Sequence, residues 1–266
     1  MNDRSSTELA PFVRRDADAR GVVTLTLDRP QSYNALSEAM LGALQAELDA
    51  VAADEAARVV VIAAAGKAFC AGHALKEMRA EPSLPYYEAL FAQCAHLMLT
   101  IQRLPVPVIA RVQGIATAAG CQLVAACDLA VAADSARFAV SGVNLGLFCS
   151  SPSVPLARNL ARKAAFEMLV TGEFISAEEA RAKGLVNRVA APEALDGAVE
   201  SLVAAIVAKP RVAIALGKAL FYRQLERGSE AAYEDAGRTM AGNMMEAAAL
   251  EGVQAFIDKR KPAWPA

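Results

Sequence analysis

The chain has 266 residues, 55% of them apolar, with a formal net charge of −2. That is enough for one large buried core, and so balanced a charge excludes an electrostatic footprint for nucleic acid. Five cysteines without a CxxC spacing exclude a disulfide framework and a zinc site, and no uninterrupted apolar run reaches the ~20 residues of a membrane span.

Residues 1–15 read as a disordered N-terminus. Residues 1–10 are polar and lack an apolar signal core, so the expected location is cytoplasmic. Val23, Leu25 and Leu27 alternate with Thr24 and Thr26, the period of two that predicts a strand. A helix is predicted from Ser37, with Met40, Leu41, Leu44, Leu48 and Val51 on one face. Residues 58–64 form a β-branched run read as a buried strand. A turn over 66–72 leads to a helix near Leu75, and 80–87, with Pro82 and Pro85, reads as loop. The next helix carries Leu90, Cys94, Leu97, Ile101 and Leu104 at spacings of four and three, until Pro105 and Pro107 stop it. His96 lies off its apolar face and reads as exposed.

A strand over 108–112, a helix over 118–126 and a strand over 129–132 follow, with Asp128 closing the turn between the last two. After Ser150 the pattern reads as helix throughout. Ser176 with Glu179 makes a capping box, Gly184 closes that helix, and a last helical region spans 210–258. The terminal Lys259-Arg260-Lys261 reads as a solvated tail. The fold class is α/β: a core over 16–205, then a C-terminal helical region over 206–266.

Two segments carry a chemical signal. Gly66-Lys67-Ala68-Phe69-Cys70-Ala71-Gly72-His73 and Gln113-Gly114-Ile115-Ala116-Thr117-Ala118-Ala119-Gly120-Cys121-Gln122 each run from a strand into a helix. The first N–H groups of a helix have no internal partner, and small residues let a ligand approach the backbone. Two such ends facing each other would present two donors to one oxygen. Taken singly, each also fits an ordinary strand-to-helix turn.

Together the two segments resemble the crotonase (enoyl-CoA hydratase/isomerase) superfamily, with further matches in Asp28-Arg29-Pro30, Asn34-Ala35-Leu36, Cys127-Asp128-Leu129, Thr171-Gly172 and Lys259-Arg260-Lys261-Pro262. Segments 72–77, 116–123 and 142–150 resemble a narrower group, the enoyl-CoA hydratase domain-containing protein 3 group. The resemblance implies a spiral of repeated ββα units with C-terminal helices that mediate trimerisation, trimers pairing into hexamers being left open. It implies an acyl-CoA or enoyl-CoA thioester as substrate or ligand, with no other cofactor, no metal and no nucleic-acid or membrane partner. The oxyanion-hole N–H groups carry over to Ala71 and Ala119. Gln31, Ser32, Tyr33, Gly72, Ala74, Leu75 and Gly120 would line the ligand, and Lys67 could meet the coenzyme A phosphates. Ala74 stands where the narrower group has Asp.

The family's hydratases use two glutamates to activate water. Their positions here are Gln122 and Gly142, and neither can accept a proton at neutral pH. His73 is the candidate substitute acid or base, or else a wall residue. Cys149 and Ser150 could border the pocket. Asn144 could hold a water or the thioester oxygen, or serve the turn. Two readings follow: a lyase or isomerase of fatty-acid metabolism acting through a thioester enolate, or a non-catalytic acyl-CoA-binding or regulatory subunit. A third, a hydrolase using Ser141 or Ser150 with His73, has no nucleophile motif behind it.

Overall fold

The computed structural model describes residues 11–80 and 82–265. In chain order these form β1 (Val13–Ala17), β2 (Val22–Leu27), α1 (Glu38–Ala52), β3 (Val59–Ala64), β4 (Ala68–Cys70), α2 (Leu75–Ala80), α3 (Leu84–Arg103), β5 (Val108–Val112), β6 (Ile115–Thr117) and α4 (Ala119–Ala126). There follow β7 (Leu129–Ala133), β8 (Arg137–Ala139), α5 (Ser150–Asn159), α6 (Arg162–Thr171), β9 (Ile175–Ser176), α7 (Ala177–Lys183), β10 (Arg188–Ala190), α8 (Leu195–Val207), α9 (Arg211–Leu225), α10 (Ser229–Met244) and α11 (Ala247–Ile257).

Strands β3, β5 and β7 join a sheet of order β1-β2-β3-β5-β7-β10, parallel except for β1 against β2. The strand that follows each of them, β4, β6 and β8, joins a smaller sheet of order β4-β6-β8-β9. Two strands in two sheets and then a helix therefore recur, which is the ββα spiral expected from the resemblance.

Burial explains the sequence pattern. Strand β3, Val-Val-Val-Ile-Ala-Ala, is buried at every position. Val60, Ile62 and Ala64 face the main core, whereas Val59 and Val61 pack with Val199 and Val203 of α8. A parallel strand covered on both faces has no reason to alternate. Helix α1 buries the five predicted residues, and Ser37 Oγ accepts from Met40 N at 3.0 Å. The capping box of Ser176 and Glu179 forms, and Gly184 closes α7 at φ +92°.

The structure corrects four expectations. Val13–Ala17 form an edge strand with Val13 buried, so disorder does not extend through residue 15; residues 1–10 lie outside the described ones. The loop read over 80–87 is already α3 from Leu84, because Ser83 Oγ accepts from Tyr86 N and Pro85 sits in the first turn, where no N–H is needed. Helix does not run unbroken after Ser150: β9 and β10 each add a strand to a sheet. Asp128 does more than close a turn. It accepts from Val108 N, Lys218 Nζ and Tyr222 Oη, and so ties α9 to the core.

Candidate functional site

The two glycine-flanked segments meet. A Cβ on Gly120 would stand 2.1 Å from Cys70 O, and one on Gly72 would stand 2.9 Å from Ala118 Cβ and 3.2 Å from Ala119 N. Only hydrogen fits at these crossings, so the backbones touch. Beside the seam lies a largely apolar cavity of about 340 Å³. Its lining includes Ala71, His73, Leu75, Ala119, Gly142 and Cys149.

The backbone donors differ from the expected pair. Ala71 N donates to Tyr33 O at 3.0 Å, so Ala71 has no N–H to offer a ligand, and that assignment is corrected. His73 replaces it. Leu36 N donates to Gly72 O and Ala74 N donates to Leu36 O, which makes Leu36 and His73 a parallel bridge pair. The middle residue of such a pair turns its own N–H away from the partner strand. His73 N–H accordingly has no acceptor among the described residues. Ala119 N–H is the first of α4 and equally unpartnered within the helix.

Ala118, which positions Ala119, has φ +50° and ψ −120°, a region that favours glycine. Strain of this kind costs on the order of 1–3 kcal/mol. Ala118→Gly is therefore expected to stabilise the protein by about 1 kcal/mol after the extra chain entropy of glycine is subtracted, measured as a higher urea midpoint. A lower midpoint would mean that the alanine methyl contributes more through packing than the strain takes away.

The His73 ring packs beside another lining residue. Nδ1 lies 3.3 Å from Leu36 O, and the ring meets Phe91 edge-on at 5.6 Å. Opposite a carbonyl, Nδ1 carries the proton, which leaves the Nε2 lone pair free. Burial holds the imidazole pKa below its usual value, only partly offset by the Leu36 carbonyl, so the ring is neutral at pH 7. Neither Ser141 nor Ser150 pairs with it. Ser141 Oγ lies 2.9 Å from Thr117 Oγ1, and Ser150 Oγ is 3.4 Å from Phe148 O. The hydrolase reading finds no support in this arrangement.

The positions of the two missing glutamates have separate fates. Gln122 is 3% exposed, and its Oε1 has no hydrogen-bond partner. Gly142 lines the cavity, but no side chain could grow from it: a Cβ would stand 2.4 Å from Leu147 O and 2.8 Å from Cys149 Sγ. The thiol of Cys149 thus takes the space where a residue-142 side chain would begin, and Gly142 N donates to it at 3.3 Å. Gly142→Glu is expected to destabilise the chain by at least the ~1–3 kcal/mol of an overpacked core, read by urea denaturation, and not to restore a working carboxylate.

Other predicted residues stand apart. Asn144 Nδ2 donates to Gly172 O at 3.4 Å, so it serves the turn and does not line the cavity. Gln31 and Ser32 lie on a short 3₁₀ turn that ends at Tyr33, and the Lys67 ammonium sits 5.2 Å from the centre of the Tyr33 ring. His96 is exposed, as expected. The sequence reading missed Phe91, Leu145, Leu147 and Phe148 of the lining. Phe91 flanks the apolar stripe of α3 without belonging to it, and the close run of apolar residues Leu145, Leu147 and Phe148 was the available signal for the rest.

Comparison with known proteins shows the family and the fold. Residues 17–266 match the sequence profile of the Enoyl-CoA hydratase/isomerase family. The chain is 47% identical over 244 residues to enoyl-CoA hydratase domain-containing protein 3 of Xenopus laevis, covering 92% of this chain and 83% of that one. The human counterpart is 43% identical over 261 residues, covering 98% and 86%. An enoyl-CoA hydratase crystal structure from Mycobacterium smegmatis superposes with a TM-score of 0.95 at 68% identity, over 96% of this chain and 99% of that one. The frog and human proteins are both named mitochondrial, which overturns the cytoplasmic expectation. That expectation rested on the absence of an apolar signal core in residues 1–10 and on cysteines that suggest a reducing compartment without saying which one.

Proposed function

The chain belongs to the enoyl-CoA hydratase/isomerase family, and from that premise we propose that it binds an acyl-CoA thioester with the carbonyl oxygen held between the N–H groups of His73 and Ala119. The observation that carries this reading is a pair of unpartnered backbone donors on an apolar cavity with no carboxylate in its wall. Donors fixed at a developing oxyanion act without reorganisation in a dry site, and each is worth about 10²–10³ in rate.

The chemistry available is enolate chemistry. Polarising the carbonyl acidifies the α-carbon. The neutral His73 Nε2 takes the proton, the C–H electron pair moves to the thioester oxygen, and the proton returns to the same carbon or to one further along. Hydration by a carboxylate pair is not available, since Gln122 is an amide and Gly142 has no side chain. Tyr33 and Lys67, with Gln31 and Ser32 on the same turn, form the corner for the coenzyme A moiety. Its phosphates suit the Lys67 ammonium. The exposed Phe221, Tyr233, Met240, Met245, Phe256 and Ile257 of the C-terminal helical region and its joining turns favour assembly as a homotrimer, or as a hexamer of paired trimers, because so much apolar surface suits an interface.

A second reading, a non-catalytic acyl-CoA-binding subunit, is favoured by the carboxylate-free lining. Deuterium exchange separates the two. Butyryl-CoA incubated with the protein in D₂O is expected to gain deuterium at C2, and His73→Ala should abolish the gain. Tight binding with no exchange would leave the binding reading alone. No binding of any thioester in a broad panel would sink both.

A further inference from the structure

The Cys149 thiol stands where a side chain of residue 142 would begin. Its Sγ lies 2.8 Å from the position of a Gly142 Cβ, accepts from Gly142 N, and faces the same cavity as His73 and Ala119. The other four cysteines are buried and do not line this cavity. Gln122 is buried behind the wall that Ala118 and Ala119 give to this cavity, without lining it. Its Oε1 is shut from solvent and has no donor, and buried acceptors rarely go unsatisfied. Gln122 lies three and four residues beyond Ala119 and Ala118, spacings that share a helix face. Helical side chains lean toward the N-terminus, which for α4 is the end that meets the cavity at Ala119.

We infer that Cys149 is a nucleophile, and that the protein captures α,β-unsaturated acyl-CoA thioesters covalently by adding this thiol across their C2=C3 bond. The inference rests on the thioester reading above and names the substrate class it takes. The atoms balance as in hydration, with sulfur in place of oxygen. His73 Nε2 removes the thiol proton, and Sγ forms a bond to C3. The C2=C3 π pair moves to the carbonyl oxygen as an enolate held by the His73 and Ala119 N–H groups. His73 then returns its proton to C2, leaving a thioether-linked saturated acyl-CoA. No oxidant or reductant is consumed.

The environment of the thiol suits selective capture. Burial raises its pKa, and the Gly142 N–H only partly offsets this, so the free protein holds a protonated and unreactive sulfur. Reaction waits for an electrophile seated against the two backbone donors, with a neutral imidazole at hand.

The test is intact-protein mass spectrometry after incubation with crotonyl-CoA, with butyryl-CoA in parallel, followed by peptide mapping. The expected result is a mass gain of one whole crotonyl-CoA, mapped to Cys149, with none from butyryl-CoA. Cys149→Ala should lose the adduct, and His73→Ala should slow it by the ~10²–10⁴-fold typical of a lost general base. Competition of crotonyl-CoA with a fluorescent acyl-CoA reports binding separately. Binding without an adduct overturns the inference and leaves the thioester reading standing. An adduct on another cysteine also overturns it. No binding removes both. The wild-type experiment needs no variant, so a misfolded substitution cannot hide the answer.

Discussion

Lys218→Met is expected to cost about 3–5 kcal/mol of stability, because it leaves a buried carboxylate without its counter-charge. Lys218 is 9% exposed, and its ammonium is fully engaged: it donates to Ile101 O and Val106 O, each at 2.9 Å, and to Asp128 Oδ2 at 2.6 Å. Burial pulls its pKa down, and Asp128 only partly restores it, so the pair stands because every donor is satisfied. Urea denaturation of Lys218→Met, Asp128→Leu and the double variant would measure the coupling. The double variant should lose less than the sum of the two single variants. A loss below 1 kcal/mol for Lys218→Met would show that water reaches Asp128 and screens it.

Gly72→Ala should lower the C2 deuterium-exchange rate about 10²–10³-fold, the usual effect of losing one oxyanion donor. Gly72 has φ +89°, and an alanine methyl would press on Ala118 Cβ at 2.9 Å and Ala119 N at 3.2 Å. The seam must open, so His73 N–H and Ala119 N–H separate. Circular dichroism separates this effect from unfolding. In the folded variant, the infrared band of the bound thioester carbonyl should lie closer to its position in solution than in the wild type. An unchanged exchange rate in a folded variant would mean that these two N–H groups do not hold the oxygen.

Much of the fold was legible because it depends on local periodicity. The buried face of α1, the alternation in β2 and the caps of α7 all follow from residues within a few positions of one another. The short strands were not. β4, β6 and β8 have three residues each, too few for a period, and they are strands because of what they pair with. The same holds for β10, which joins the large sheet beside β7, more than fifty residues earlier.

The site divides in the same way. By itself the sequence marked two glycine-flanked strand-to-helix segments, which are local features, and the family resemblance joined them as one pocket wall. It also determined that Gln122 and Gly142 cannot serve as a carboxylate pair, since that is a matter of residue type alone. Only the tertiary structure decided which N–H faces the ligand. Pairing with Leu36 turns His73 outward, while Tyr33 takes up Ala71. Only the folded chain put the Cys149 thiol in the space of a residue-142 side chain and Lys218 against Asp128, ninety residues away. The physical reason is common to all three. Hydrogen-bond direction and side-chain proximity between distant residues depend on how elements pack, and no spacing along the chain encodes them.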